Sequence, residues 1–179
     1  PALAAGSDLA APVSQRIYYA GGHDASWNSL DSAAVYDLAS DSHTDLPSMG
    51  TARYYFATGR LGGLVCAVGG CGTPHGAYPT LLDSCECLDT ADPSAGWSAM
   101  PSLGTARYLN AVASTGDTMC AIGGWVPAGA SVECLSQGAA AWVEVASLNN
   151  ARRSHGAAAV GDEIFVVGGC CGSAGISVE

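Results

Sequence analysis

The sequence predicts an all-β protein built from four similar units, and three observations support this fold class. A short apolar segment that ends in a glycine pair occurs four times, at 17–22, 66–70, 120–124 and 165–169. An arginine precedes each of the last three pairs by the same 16 residues, as Arg53 precedes Gly69. Of the 179 residues, 24 are glycine and 49% are hydrophobic, which is typical of a turn-rich folded protein. A repeat this regular indicates a modular fold.

Each unit is predicted to contribute four short strands in the same order. First strands are predicted within 49–59, 103–113 and 148–160, with glycine-bearing hairpin turns at 58–60, 114–117 and 161–162. The second strand ends at the glycine pair, where the chain must turn sharply or let a neighbour approach closely. Third strands are predicted at 32–38, 84–90, 131–137 and 176–179, and fourth strands at 43–49, 97–103 and 142–148. In the first unit, the first strand is predicted at 2–5.

Four short strands in every about 45–55 residues predict the blades of a β-propeller. A single four-stranded sheet leaves two apolar faces uncovered, and packing blade on blade buries both. The predicted blades span approximately 1–48, 49–102, 103–147 and 148–179, and the last is incomplete. We therefore expect one propeller segment over 1–179, made of four-stranded antiparallel blades in an incomplete ring.

The units resemble kelch repeats. The resemblance rests on the glycine pair, on Trp97 and Trp142 ten residues before an arginine, and on an acidic-aromatic third strand that is clearest at Val35-Tyr36-Asp37. It covers nearly the whole chain. Departures are Cys87 and Cys134 in place of the third-strand tyrosine, and His43 in place of the tryptophan. Kelch propellers usually have about five to seven blades. The resemblance therefore implies that further blades of a longer chain, or partner chains, complete the ring.

Residues that recur at aligned positions are assigned to the repeat framework and not to chemistry. An anion-binding ring is the alternative for Arg53, Arg107 and Arg152, but hydrogen bonds to backbone carbonyls or to carboxylates of neighbouring blades are favoured. Glu86, Glu133 and Glu179 also recur, and His155 is expected to be structural. The predicted framework consists of Gly21, Gly22, Gly69, Gly70, Gly123, Gly124, Gly168, Gly169, Arg53, Arg107, Arg152, Trp97 and Trp142.

Eight cysteines allow disulfides, a metal site or buried apolar side chains. Five lie at strand positions and are expected to be buried apolar side chains: Cys66, Cys85, Cys87, Cys120 and Cys134. Cys71, Cys170 and Cys171 follow glycine pairs and are the better candidates for chemistry. Two alternatives remain open. One is a disulfide between Cys71 and Cys85, and the other is a zinc site formed by Cys71, His75, Cys85 and Cys87.

The loops between the second and third strands vary in length and content while the rest of the unit is constant. Such loops should cluster on one face of the molecule. Exposed aromatic side chains on a rigid scaffold suit contact with a protein, although packing against their own blades is the alternative. The predicted partner-binding residues are His23, Asp24, Trp27, Asn28, Cys71, Pro74, His75, Tyr78, Trp125, Cys170 and Cys171.

The net charge and the absence of known motifs disfavour several classes of function for this chain, among them nucleic-acid binding, membrane binding and catalysis. The net charge is −10 and all six basic residues are arginine, so neither nucleic acid nor an anionic membrane is an expected partner. No membrane span, cofactor, metal or catalytic residue is predicted, since the sequence has no apolar run of 18 residues, phosphate loop or nucleophile elbow. The absence of an Asn-x-Ser/Thr sequon favours a soluble intracellular or organellar protein over a secreted one.

The favoured function is that of a non-catalytic kelch scaffold that mediates protein–protein interaction within a larger assembly. Its partners would be other protein subunits, or further blades of a longer chain. One alternative is part of a propeller enzyme, an oxidase or small-metabolite enzyme, whose catalytic residues lie in missing blades. The other is a cysteine-based metal or redox module acting through Cys71, Cys170 and Cys171.

Overall fold

The computed structural model describes residues 15–72, 80–125 and 128–170. Their regular structure is antiparallel β-strand apart from a single 3-10 turn at Pro93–Ala95, which confirms the predicted all-β class. The sheets are small and blade-like, and the described units do not close into a ring. Within these three ranges, no helix has the length and apolar character needed to cross a membrane.

The strands fall into four successive units along the chain. Unit 1 contains β1 (Arg16–Ala20), β2 (Ala33–Asp37) and β3 (Ser42–Leu46). Unit 2 contains β4 (Ala57–Leu61), β5 (Leu64–Val68), β6 (Cys71–Gly72), β7 (Thr80–Leu81), β8 (Cys85–Asp89) and β9 (Trp97–Met100). Unit 3 contains β10 (Ala111–Thr115), β11 (Thr118–Ile122), β12 (Val132–Ser136) and β13 (Val143–Val145). Unit 4 contains β14 (Gly156–Val160) and β15 (Glu163–Val167). The strands predicted at 2–5 and 176–179 lie outside the described residues.

Units 2 and 3 are complete four-stranded sheets with the same strand order, β4-β5-β8-β9 and β10-β11-β12-β13. The separate β6–β7 ribbon belongs to the loop that follows the glycine pair of unit 2. The first strands of neighbouring units are in contact, β4 with β10 and β10 with β14. The first strands of units 2, 3 and 4 therefore lie side by side.

One predicted hairpin turn is wrong. The turn between β4 and β5 lies at Gly62 and Gly63, not at 58–60, and Gly59 sits within β4 opposite Cys66. A Cβ atom at Gly59 would collide with the side chain of Val112 in unit 3. Gly59 thus permits the close approach of two units, and turn formation falls to Gly62, whose φ is +58°.

The hydrophobic core lies between units and not within a single sheet. Between units 2 and 3 it is formed by buried side chains that include Leu61, Val68, Met119, Leu135 and Trp142. Between units 3 and 4 it includes Ile122, Val132 and Val166. Each sheet is only one layer thick, so its apolar faces are buried only where another unit packs on it.

The framework tryptophans join neighbouring units. The indole Nε1–H of Trp97 donates to the carbonyl of Pro47 in unit 1, at 2.9 Å. Trp142 makes the same bond to Pro101 of unit 2, at 2.8 Å. Each ring covers apolar surface while its polar atom is satisfied by the preceding unit, so both tryptophans stabilise the inter-unit contacts.

Of the five strand cysteines expected to be buried apolar side chains, four are joined in disulfides, although most of them are buried as expected. Cys66 and Cys87 lie directly opposite each other on β5 and β8 and form a disulfide. Cys120 and Cys134 form the equivalent disulfide between β11 and β12. Cys85 is a free buried cysteine, as expected. The same register brings the two sulfur atoms together in units 2 and 3. In unit 1 the equivalent pair is Tyr18 opposite Val35, so the alignment of Cys87 and Cys134 with Tyr36 is wrong by one residue.

Candidate functional site

Three of the four glycine pairs are bonded to the framework arginine of the next unit. The second glycine of a pair donates its N–H to the carbonyl of that arginine, at 2.8–2.9 Å, in three successive units: Gly22 to Arg53, Gly70 to Arg107 and Gly124 to Arg152. These glycines have φ of +96°, +100° and +123°, a conformation that favours glycine. The bond places the residue after a glycine pair beside the residue after the next arginine.

This arrangement produces a continuous row of side chains across all four units, which we call the loop-face belt. Its members alternate between residues that follow a glycine pair and residues that follow a framework arginine. In spatial order the belt consists of His23, Tyr54, Cys71, Tyr108, Trp125, Arg153 and Cys170.

Backbone hydrogen bonds hold the belt together within each unit. Tyr54 and Cys71 exchange two bonds, at 3.0 and 2.8 Å. The N–H of Trp125 donates to the carbonyl of Tyr108 at 2.8 Å. Arg153 and Cys170 are likewise bridged, at 2.9 and 3.4 Å. Main-chain hydrogen bonds therefore fix the backbone positions of the belt residues.

Side-chain contacts continue the belt across unit boundaries. The rings of His23 and Tyr54 meet edge to face, with centroids 6.1 Å apart. Arg153 of unit 4 lies over the indole of Trp125 in unit 3, with Cζ 2.8 Å from the ring centroid. A guanidinium on an indole face is a favourable cation–π arrangement. The last unit thereby adds a positive charge to an otherwise aromatic surface.

The backbone next to the belt is also tied from unit to unit. Tyr55, Leu109 and Ser154 follow belt residues and have φ of +54°, +54° and +51°. The N–H of Leu109 donates to the carbonyl of Tyr55 at 2.9 Å, and that of Ser154 donates to Leu109 at 2.8 Å. Residues with side chains rarely adopt this conformation. Its recurrence in three units gives the belt a rigid support.

The unit 1 loop is organised by one carboxylate. Asp24 accepts the backbone N–H groups of Ser26 and Asn28, each at 2.8 Å, and the side-chain amide of Asn28 at 2.9 Å. The hydrogen bond from the Asn28 side chain is the main cause that lowers the pKa of Asp24. The resulting turn places Trp27 on His23, with ring centroids 4.0 Å apart and a tilt of 18°.

The structure places several predicted partner-binding residues on this face. His23 and Trp27 are exposed and stacked on each other, Asp24 and Asn28 hold their loop, and Trp125 is half-buried in the belt. Cys170 is exposed at the far end, where Arg153 Nη2 lies 3.7 Å from its sulfur atom. The remaining predicted loop residues, Pro74, His75, Tyr78 and Cys171, lie outside the described residues.

Cys71 needs correction as a contact residue. Its side chain is fully buried between two tyrosines, and burial raises the pKa of its thiol to about 11. A buried thiol of high pKa is neither accessible to a partner nor a reactive nucleophile. Cys71 supports the belt from beneath and does not form part of its surface.

The proposed zinc and disulfide pairings of Cys71 are also wrong. Cys87 is bonded to Cys66 and is unavailable as a zinc ligand. Cys71 and Cys85 are both free thiols, so they are not joined. Burial raises the pKa of Cys85 to about 12, which opposes the thiolate that a metal ion requires. Across the described residues, no cluster of three or more metal-ligating side chains occurs.

The framework arginines are not placed to bind an external anion. Arg53 and Arg107 are fully buried and donate to carbonyls of their own unit, including those of Gly69 and Gly123, at 2.7 and 2.9 Å. Each also pairs with a buried glutamate, Glu86 or Glu133. These guanidinium groups stabilise the bend at the glycine pair.

Sequence reasoning missed Tyr54, Tyr108 and Arg153 as site residues. They share one aligned position, directly after the framework arginine, and all three are large. A large side chain at the same position in three units was the signal in the sequence that could have identified them as site residues. Their role became visible only when the bond between a glycine pair and the next arginine showed which loop each one faces.

The comparisons with known proteins agree with the architecture. The family model described as Kelch motif matches residues 10–50 and 151–178, which lie in units 1 and 4. No curated protein matches the chain. Units 2 and 3 repeat the glycine pair of both matched units and the framework arginine of unit 4. Units 1 and 4 therefore each match the Kelch motif, and these two matches support the resemblance of the chain to kelch repeats.

Proposed function

We propose that this chain is a non-catalytic kelch scaffold that binds a protein partner through the loop-face belt. The observation that carries the proposal is the cluster of Tyr108, Trp125 and Arg153, which are partly exposed where units 3 and 4 meet, whereas Tyr54 and Cys71 of unit 2 are buried. Tyr, Trp and Arg dominate the energetics of protein interfaces because they bury large area with few rotatable bonds. Tyr108, Trp125 and Arg153 place these three residue types side by side.

The rigidity of the belt supports the same proposal. Its backbone is hydrogen bonded within units and between them, so a partner would meet side chains that are already ordered. Little conformational entropy would then be lost on binding, which favours affinity. The exposed Trp27 and Tyr55 extend the aromatic surface beside His23 in unit 1.

The state of the buried charged residues supports a binding role over a catalytic one. Arg53, Arg107, Glu86 and Glu133 are buried and engaged with the backbone of their own units. They stabilise the blades and are not directed at a substrate. We further propose that the scaffold works as a subunit of a larger assembly and that its partners are other protein subunits.

A random 12-residue peptide library displayed on phage can test the proposal, with the immobilised chain as the target. We expect selected peptides to bind the native chain, and Trp125→Ala to weaken that binding about 30-fold, as for a typical hot-spot residue. Val143→Ala is the matched control, because Val143 is an exposed apolar residue on β13. Failure to enrich any peptide, or equal binding by Trp125→Ala, would overturn the proposal.

The unit 1 end of the belt can be tested with the same peptides. Trp27→Ala removes the indole that stacks on His23 but leaves the carboxylate turn of Asp24 in place. A peptide that spans the belt should lose affinity with both Trp27→Ala and Trp125→Ala. A peptide that responds only to Trp125→Ala would restrict the binding site to units 3 and 4.

A further inference from the structure

Two arginines that neither the framework nor the loop-face belt uses line one cleft between units 1 and 2. All six basic residues of the chain are arginine. Three are the buried framework arginines, and Arg153 lies over Trp125 in the belt. The remaining two, Arg16 and Arg60, share a cleft of about 370 Å³ whose lining is completed by Tyr18, Leu64, Val65 and Thr90.

This cleft lies away from the loop-face belt. The turn at Gly62 and Gly63 joins β4 to β5, and the glycine pair of unit 2 follows the other end of β5. Arg60 and Leu64 lie next to the turn, so the cleft is at the opposite end of the strands from the belt. A ligand in the cleft and a partner on the belt would therefore use separate surfaces.

The contact between units 2 and 3 shows what these two positions hold in a closed boundary. Leu64 stands five residues before its glycine pair, as Arg16 does in unit 1, and it packs against the core cluster. Ser114 stands nine residues before its pair, as Arg60 does in unit 2, and its hydroxyl donates to the carbonyl of Arg60 at 2.5 Å. A leucine and a serine thus stand in this contact where the boundary between units 1 and 2 has two guanidinium groups.

The positive charges in the cleft are only partly compensated. Arg16 Nε pairs with Asp37 Oδ2 at 3.2 Å. Arg60 Nε donates to the carbonyl of Gly62 at 2.6 Å, which fixes its guanidinium beside the turn. Within the part of the chain that the structure describes, Arg60 has no carboxylate partner. Two like charges that share one cleft repel each other, and an anion bound between them would remove that repulsion.

We propose that this cleft, which we call the arginine cleft, binds a small molecule that carries a phosphate group. Guanidinium groups stay charged at physiological pH, and their forked N–H donors match the oxygens of a phosphate. Two of them suit a doubly charged oxyanion better than a single carboxylate. A volume of about 370 Å³ is within the range of small-molecule sites and exceeds what a phosphate alone would fill. The apolar side chains of Leu64 and Val65 would contact the organic part of such a molecule.

Titration with inorganic phosphate at constant ionic strength, followed by nuclear magnetic resonance of the backbone amides, tests the anion site. We expect saturable shifts at residues 16–18 and 64–65, with a dissociation constant in the millimolar range that is typical of a small, weakly held ligand. Sodium chloride at the same ionic strength screens charge without binding in this way and should give no saturation. Shifts that do not saturate, or that chloride reproduces, would overturn the proposal.

Substitution of Arg60 tests whether the cleft arginines hold the anion. Arg60→Gln should weaken phosphate binding by about tenfold or more, because it removes a charged donor. Arg60→Lys keeps the charge without the forked donors and should weaken binding by less. Arg153→Gln makes the same chemical change outside the cleft and should leave phosphate binding unchanged. Arg60 is exposed, so its variants should keep the fold, which far-UV circular dichroism would verify. Equal phosphate binding by Arg60→Gln and the native chain would contradict the site.

Phenyl phosphate tests the organic part of the ligand. If Leu64 and Val65 contact that part, phenyl phosphate should bind about tenfold more tightly than inorganic phosphate. Equal affinity of the two compounds would overturn this part of the proposal. Arg60→Gln should still bind the phage-selected peptides, because Arg60 lies outside the belt. Failure of phosphate binding and failure of peptide binding are therefore separate results, and each contradicts only its own proposal.

Discussion

At the scale of single residues, the central units depend on a buried arginine and a buried glutamate that act together. In unit 3, Arg107 donates to the carbonyls of Gly123 and Ser131, at 2.9 and 3.1 Å, and its other end pairs with Glu133. The carboxylate of Glu133 accepts the N–H groups of Gly104 and Thr105. The pair thus satisfies backbone groups at the bends between strands, where no sheet partner is present.

The arginine and the glutamate are absent together from unit 1. Ala34 stands at the position that Glu86 and Glu133 occupy in later units. The residue 16 positions before Gly21, where an arginine would stand, is Ala5. A buried charge without its partner is strongly destabilising, so loss of one member favours loss of the other.

Glu133→Gln should strongly destabilise the chain because it leaves the buried Arg107 charge uncompensated. We expect the free energy of unfolding to fall by about 3 kcal/mol or more. Urea unfolding followed by tryptophan fluorescence measures this loss. Glu144→Gln is the matched control, since Glu144 lies opposite Glu133 on β13 but is exposed. Equal unfolding midpoints for the two variants would contradict this role of the pair.

His155 makes stability depend on pH. Burial, followed by the charge of Arg152, lowers the pKa of His155 to about 4 from its usual value of 6.5. Between these two pH values the unfolded chain binds the proton more readily, so the stabilisation is complete above about pH 6.5 and is lost as the pH falls toward 4.

The His155→Asn variant tests that dependence, because asparagine is the residue at the aligned position 110. The native chain should lose more stability than His155→Asn between pH 6.5 and pH 4, when urea midpoints are measured across this range. Carboxylates titrate in both proteins, so the difference between the two profiles isolates the histidine. Parallel profiles would show that His155 does not titrate in this way.

At the scale of the element, strand residues are selected by the neighbouring unit as much as by their own sheet. Gly59 lies in the middle of β4, where a strand former would ordinarily be favoured. Its missing side chain leaves room for Val112 and Met119 of unit 3. Glycine has a low β-strand propensity, but at this position it allows two units to approach closely.

Gly59→Ala should therefore destabilise the contact between units 2 and 3. The added methyl group would overlap Val112, and overpacking of this kind costs about 1–3 kcal/mol. Gly63→Ala is the control, since an added Cβ there meets no atom within 4 Å. Thermal unfolding should show a clear decrease in midpoint for Gly59→Ala and little change for Gly63→Ala. A similar midpoint for both variants would contradict the packing role of Gly59.

The elements also show what a single sequence can and cannot predict. The glycine pairs marked the ends of the second strands in the sequence. The bend at that point requires a backbone conformation that favours glycine, so residue type alone predicts it. The pairing of Cys66 with Cys87 required the register between two strands that are separated by a variable loop. The contact between Trp125 and Arg153 required the arrangement of two different units. Features within one strand were readable from the sequence, and features across strands or units were not.

At the scale of the whole molecule, the described units are unequal because only unit 3 contributes to a buried apolar cluster on each of its two sides. Units 2 and 3 have buried clusters on their shared side, and unit 3 has a second cluster toward unit 4. Among the described residues, unit 4 contributes to one of these clusters and unit 1 to neither, and both units carry exposed large apolar side chains such as Ile17 and Val160. In a linear array of this kind, stability is approximately a sum of unit and contact terms.

Backbone hydrogen exchange should reveal this inequality as a gradient along the chain. Amides of β11, in the centre of unit 3, should exchange on the order of tenfold or more slowly than those of β1 and β15, because opening β11 breaks two inter-unit contacts and opening a terminal unit breaks one. Mass spectrometry of the native chain at low concentration measures this exchange strand by strand. Uniform protection across all four units would mean that the array unfolds in a single step. The terminal units would then not open separately from the central ones.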